Sequence, residues 1–177
     1  MRIRRIVSAE SKAGVVMRAS DLLDARTAGL CTNIWGFDKI PELPLAPERV
    51  LGEYQRLGIF GPKDAVRVNL ISLPPEKGGE APNLGTEMSN LDLGAGANMS
   101  QGEHSGGMHR TDSVDLGVVL KGETDIDYPG EDGQIHTITA REGDLIVQNG
   151  AYHEWRNRSN DYCVILIFIA AAERKAD

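Results

Sequence analysis

Alternation of apolar and polar residues with a period of two dominates the second half of the chain. In DAVRVNLISL (64–73), Val66, Val68 and Leu70 alternate with Arg67 and Asn69, which predicts a strand. Residues 114–121 are apolar almost throughout. Short runs at 123–128, 134–139, 144–148, 152–156 and 161–169 continue the β pattern. Asp132-Gly133 predicts a hairpin turn, and Glu142-Gly143 a second turn. Closely spaced short strands with glycine turns predict an all-β sandwich or jelly-roll barrel.

The first half is less regular. Residues 2–7 alternate charged and apolar side chains and predict a strand, with 15–17 able to pair with it. From 20 to 47 the pattern is irregular, and Trp35 and Phe37 are expected to tack this segment to the core. One short helix is predicted over 47–57, PERVLGEYQRL: Pro47 suits the first helical position and Gly58 the exit. Residues 74–107 are rich in Gly, Pro, Asn and Ser, with a strand-like stretch at 86–93. So long a connection reads either as a lid over a barrel mouth or as a plain surface loop. The tail, 171–177, is expected to fray. The organisation is an N-terminal arm with its helix over 1–63 and a barrel over 64–177, one structural domain overall. Open barrels leave edge strands that a second copy can cover, so a homodimer through the N-terminal strand is expected.

Composition narrows the function classes. A chain of 177 residues suits one domain with an arm, and its 20 glycines favour strands and turns over a helix bundle. The net charge of −7 speaks against a nucleic-acid partner, which needs a basic face. The longest apolar run, 163–172, is about half a membrane span, so no membrane partner is expected. The amino terminus, MRIRRIVSAESKAG, has no apolar stretch behind its basic residues and is not expected to be a secretory signal. Cys163 opens the apolar run CVILIFIA and reads as a buried thiol rather than a disulfide partner of Cys31; a reducing, cytoplasmic compartment is expected.

The candidate chemistry lies with the histidines. His136 sits in an alternating strand beside a hairpin turn and receives no function, and His104 lies in the glycine-rich GEHSGG. His109 and His153 each border a turn at the edge of a β run, and in a jelly roll such edges converge on the interior. Imidazole with carboxylate suits Zn, Fe, Mn, Ni or Cu. Were 109–115 one extended strand, His109 and Asp115 would lie roughly 20 Å apart at about 3.3 Å per residue. Sharing a metal therefore requires a bend at the turn-prone Thr111-Asp112-Ser113. Without metal the same residues would be hydrogen-bonded polar groups of the core, and spacing alone does not separate the two readings.

Two stretches, GGMHRTDSVDLGVVLKGE (106–123) and GDLIVQNGAYHEWRN (143–157), resemble the paired motifs of the cupin superfamily. Asp115 falls where the first motif's glutamate ligand stands, and Gly122 matches its closing glycine. Gly143, Gly150, His153 and Asn157 match the second motif, with His153 at its histidine ligand. The likeness is closer to single-domain cupins of bacteria and of fungal secondary-metabolite clusters, which read MHRT-x-S-x-D-x-G-x-V-x-x-GE and then GD-x-x-x-QRG-x-x-H-x-W-RN. An ungapped alignment on Gly122 puts Met108 and Arg110 at the usual His-x-His positions, so at least one of the usual four ligands is missing, and Asn149 replaces the subgroup's Arg.

The resemblance implies a divalent metal ion (Fe, Zn, Mn or Ni) held by His109, Asp115 and His153, with open positions for water or substrate. Such a set is associated with non-haem Fe(II) oxygen chemistry. It also serves Lewis-acid lyases, hydratases and isomerases. Gln148, Tyr152 and Trp155 would shape a pocket, Trp155 alternating with His153 so that both point inward on a regular strand. Arg110 would pair with a substrate carboxylate or enolate, or with Asp112. Glu103 and His104 would act as acid-base groups if their loop closes over the mouth. The implied function is a metal-dependent enzyme acting on a small organic, aromatic or polyketide-like substrate; the alternative is a small-molecule-binding cupin without turnover, which a depleted ligand set would suit.

Overall fold

The computed structural model describes residues 1–10, 13–24, 30–43, 57–76, 99–101 and 107–175. Two strands, β1 (Arg2–Glu10) and β2 (Val16–Asp24), form an antiparallel hairpin. Ten more follow: β3 (Cys31–Phe37), β4 (Val66–Leu73), β5 (Met99–Gln101), β6 (His109–Thr111), β7 (Ser113–Lys121), β8 (Glu123–Pro129), β9 (Ile135–Arg141), β10 (Leu145–Asn149), β11 (Glu154–Arg156) and β12 (Cys163–Ala171). The larger antiparallel sheet has the order β10-β7-β12-β4-β3. β11-β8-β9 forms the opposing sheet, and an isolated bridge between His109 and His153 joins the β5-β6 pair to it. The protein is thus an all-β jelly roll, and no described residue is helical. The expected helix over 47–57, all but Leu57, and the strand-like stretch on 86–93 lie outside the described residues, as do Glu103 and His104.

The core lies between the two sheets. Ile165, Ile167 and Ile169 of β12 meet Ile126 of β8 and Trp155 of β11 there. The turns that switch the chain between sheets need glycine: Gly122 has φ 77, and a Cβ on it would sit 2.8 Å from the Tyr162 carbonyl. Asn157 closes the end of β11. Its Nδ2 donates to the carbonyls of Leu73 and Asp161, both at 2.8 Å, so this motif residue is a structural tie.

Three expectations need correction. The segment 20–47 is not irregular throughout, because β2 runs to Asp24 and β3 pairs with β4 as the fifth strand of the larger sheet. A register shift between Asn33 and Trp35 breaks the period-two pattern and hides β3 from a periodicity reading. Trp35 is 37% exposed and packs edge-on against Phe37 at 5.2 Å, outside the core. Of the tail, Ala171 still belongs to β12, and Arg174 is tied to Asp112 and the Gly150 carbonyl.

On β4 the inner face carries polar residues. Arg67 and Asn69 are buried there, while Leu70 on the outer face is covered through Ile3 of the N-terminal hairpin, Ile34 and Val164. The hairpin is fixed by Arg5, whose Nε donates to Asp21 at 3.0 Å and whose guanidinium also reaches the Ile34 carbonyl.

Candidate functional site

The bend required for His109 and Asp115 to meet one space is present. The chain leaves β6 at Thr111, turns at Asp112 and enters β7 at Ser113, with the Thr111 and Ser113 hydroxyls bonded at 2.8 Å. Arg174 holds the bend from the far end of the chain. Its Nε donates to Asp112 Oδ1 at 2.7 Å and its Nη2 to the Gly150 carbonyl at 2.8 Å. One side chain therefore pins the bend to the turn that precedes His153. Gly150 has φ 65, and a Cβ there would approach that guanidinium to 2.8 Å.

His109 and His153 lie directly opposite each other. Their backbone N–H groups donate to each other's carbonyls at 3.0 and 2.9 Å, and the ring centroids are 4.6 Å apart. The two rings are oriented by the same device. Nδ1 of His109 meets the Gly107 carbonyl at 2.8 Å, and Nδ1 of His153 meets the Ala151 carbonyl at 2.9 Å. A carbonyl only accepts, so Nδ1 carries the proton and each Nε2 keeps its lone pair. Burial favours the neutral ring in both cases. It lowers the His109 pKa and, with His109 adjacent, brings His153 down to about 4.

Both histidines line a cavity of about 100 Å³. Thr111, Asp115, Gln148 and Trp155 share its polar end; Ile59 and Phe60 wall one side, and Ile71, Ile167 and Ile169 line the sheet. Asp115 and Gln148 are directly opposed on β7 and β10, so their side chains are neighbours on the inner face. Asp115 Oδ1, both amide atoms of Gln148 and Nε1 of Trp155 are buried without a hydrogen-bond partner in the protein. Desolvation pushes the Asp115 carboxyl up to about 6, against a Ser113 hydrogen bond that lowers it. At that value it exchanges a proton readily near neutrality.

The remaining expected residues fall elsewhere. The Arg110 guanidinium lies over the Tyr152 ring, 4.7 Å from its centroid, and neither side chain lines the cavity. Asp112, the alternative partner for Arg110, pairs instead with Arg174. His136 is exposed and bonded to Asp132 at 3.1 Å. Cys31 and Cys163 are both free thiols. Ile59 and Phe60 also line the cavity, and no pattern in the sequence points to them. Asn69 positions them by donating to the Ile59 carbonyl at 3.0 Å, and Arg67 by donating to the Gly58 carbonyl at 3.0 Å.

Among the described residues, no three His, Cys, Asp or Glu side chains are grouped so as to hold a metal ion. The donor chemistry nevertheless fits one: two imidazole lone pairs and an unpartnered carboxylate oxygen belong to one cavity. Among the described residues, no helix is long and apolar enough to cross a membrane.

No protein-family model matches the chain. A curated relative, phomopsin biosynthesis cluster protein C′ of Diaporthe leptostromiformis, is 42% identical over 62 residues, which is 35% of this chain and 31% of that protein. The chain thus spans about a third of the length of the curated relatives it matches. Among solved structures, it is similar to oxalate oxidase at a TM-score of 0.37 and 14% identity, over 60% of this chain and 42% of that one. It is also similar to an uncharacterized Klebsiella pneumoniae protein with a double-stranded β-helix domain, at a TM-score of 0.39 and 11% identity, over 64% of this chain and 74% of that one.

Proposed function

We propose that the protein is a cupin-type, metal-dependent enzyme acting on a small organic molecule. The observation that carries this reading is the pair of neutral, carbonyl-oriented imidazoles at the polar end of an otherwise apolar cavity. His109 and His153 would hold a divalent ion, and Asp115 would join them by turning its carboxylate toward the pair. When bound, the ion would supply Lewis-acid activation of a substrate oxygen or, as Fe(II), oxygen chemistry. The protein's own part is to exclude water with Ile59, Phe60 and the sheet isoleucines and to offer hydrogen bonds from Gln148 and Trp155. The local likeness to a protein of a biosynthesis cluster supports a small-molecule substrate.

Elemental mass spectrometry on wild type, His109→Ala and His153→Ala tests the ligand assignment. About one ion per chain in wild type, lost in both variants, is the expected result. Iron would direct assays to oxygen uptake; zinc or manganese would direct them to lyase and isomerase reactions. A wild type that stays empty after incubation with divalent ions would remove the metal from the proposal and leave a small-molecule binder.

A homodimer belongs to the same proposal, through the outer face of the larger sheet instead of the N-terminal strand expected from the sequence. Across the outer face of the larger sheet, Val147, Leu116, Phe168 and Val68 are successive cross-strand neighbours, and Val147, Leu116 and Phe168 are 62, 44 and 39% exposed. Light scattering at micromolar concentration should give a dimer that Phe168→Glu dissociates; a monomeric wild type would refute it.

A further inference from the structure

The unpartnered atoms in the cavity specify more than a metal site. Gln148 and Trp155 are 4 and 7% exposed, so their polar atoms are shut away from bulk water. The Gln148 amide N–H and the Trp155 indole N–H are donors, and the Gln148 amide oxygen and Asp115 Oδ1 are acceptors. All three side chains line the cavity, and none of the four atoms has a partner in the protein. Leaving such groups unmet costs free energy that a ligand of matching chemistry recovers.

The set is balanced. It asks for a molecule that accepts and donates at neighbouring atoms, because Gln148 and Asp115 are directly opposed on β10 and β7. A carbonyl oxygen answers the donors and a hydroxyl answers the acceptors. No Lys or Arg among the described residues lines the cavity, so its side chains alone favour an uncharged group over a carboxylate or phosphate, whatever a bound ion would add. The remaining walls are apolar. The volume of about 100 Å³ is of the same order as the roughly 150 Å³ apolar cavity that takes one benzene, so a molecule of about six heavy atoms, or the head of a larger one, is the size that enters.

We infer that the cavity recognises an uncharged molecule, or end of a molecule, in which a hydroxyl stands next to a carbonyl, with Gln148 as the residue that reads the pair. The inference rests on the cavity being a small-molecule site, but not on the metal.

The probe is 3-hydroxybutan-2-one, compared with butan-2-one, butan-2-ol and lactate. Each is titrated into the full chain after EDTA treatment, following the indole ¹H–¹⁵N resonance of Trp155, with Trp35 on the outer face as internal control. The hydroxyketone should bind about fivefold more tightly than the ketone or the alcohol, the difference expected of one further hydrogen bond, and lactate more weakly still. Gln148→Leu should abolish that preference while butan-2-one still binds. Gln148→Met, closer in shape, is a second variant should the first fold poorly. Equal binding of hydroxyketone and ketone to wild type, or a preference that survives both variants, would overturn the inference and leave the small-molecule reading standing. If no probe moves the Trp155 resonance, that reading fails and the inference with it.

Discussion

Replacing Arg67 by methionine is expected to cost on the order of 3 kcal/mol of stability, about 1 kcal/mol for each of the three carbonyls left without its donor. The reason lies in what the guanidinium satisfies. Its Nε donates to the Gly58 carbonyl at 3.0 Å, its Nη1 to the carbonyls of Phe37 and Val66 at 2.9 and 3.0 Å, and its Nη2 pairs with Asp38. Asp38 is half-exposed and contributes little by itself. The three part-buried carbonyls decide the cost, since methionine fills the space but donates nothing to them. The surroundings are cut to fit Arg67: a Cβ on Gly61 would sit 2.8 Å from its Nη2, and one on Gly36 would sit 3.0 Å from its Cδ. Lysine should not rescue, because one ammonium cannot reproduce a planar fork reaching carbonyls on both sides. Urea denaturation measures the loss, and hydrogen exchange around Gly58 to Phe60 should rise with it, since Arg67 and Asn69 hold that segment against the cavity. A loss under about 1 kcal/mol would show that the carbonyls find other partners.

The same residue marks the limit of what the sequence reveals. Period-two alternation correctly announced β4, but alternation is silent on which face is covered. Here an N-terminal hairpin buries the outer Leu70 through Ile3, and the inner face is free to carry Arg67 and Asn69. The site's backbone was more legible. Gly122, Gly143 and Gly150 all have positive φ, a demand that only glycine meets without strain, so they stood out as motif positions. The Thr-Asp-Ser turn that swings Asp115 back toward His109 was allowed by its residue types but stood only as a condition for a shared metal. Arg174 was not, because it reaches Asp112 across 62 residues and nothing local foretells such a contact. The cavity walls were hidden for the same reason: Phe60 comes from a short irregular segment whose place depends on hydrogen bonds to a strand that follows it.

Asp115→Asn should raise the stability of metal-free protein at pH 7 and leave it unchanged below pH 4. In the folded chain the Asp115 carboxyl is raised from 3.8 to about 6 because burial disfavours its charge. A raised carboxyl contributes stability that is fully present below 3.8 and is lost as pH rises through about 6. At about 1.4 kcal/mol per pH unit, that loss is on the order of 3 kcal/mol, which the neutral amide avoids. The histidines act in the opposite sense. Their folded values are depressed, His153 to about 4, so their contribution is present above 6.5 and is lost as pH falls toward 4. Wild type should therefore show a shallow pH profile between 4 and 6.5, where the two effects oppose, and the variant a steeper loss on acidification. Thermal unfolding across this range in the presence of EDTA separates them. Adding the bound metal should invert the ranking: a cation beside Asp115 compensates the buried carboxylate, so wild type gains more from the ion than Asp115→Asn does. Equal gains would show that Asp115 is not a ligand and would leave the ion to the two histidines. If Asp115→Asn proved no more stable than wild type at pH 7 without metal, the carboxylate would have a compensating partner in solution, and its place as an unmet charge at the cavity's polar end would be lost.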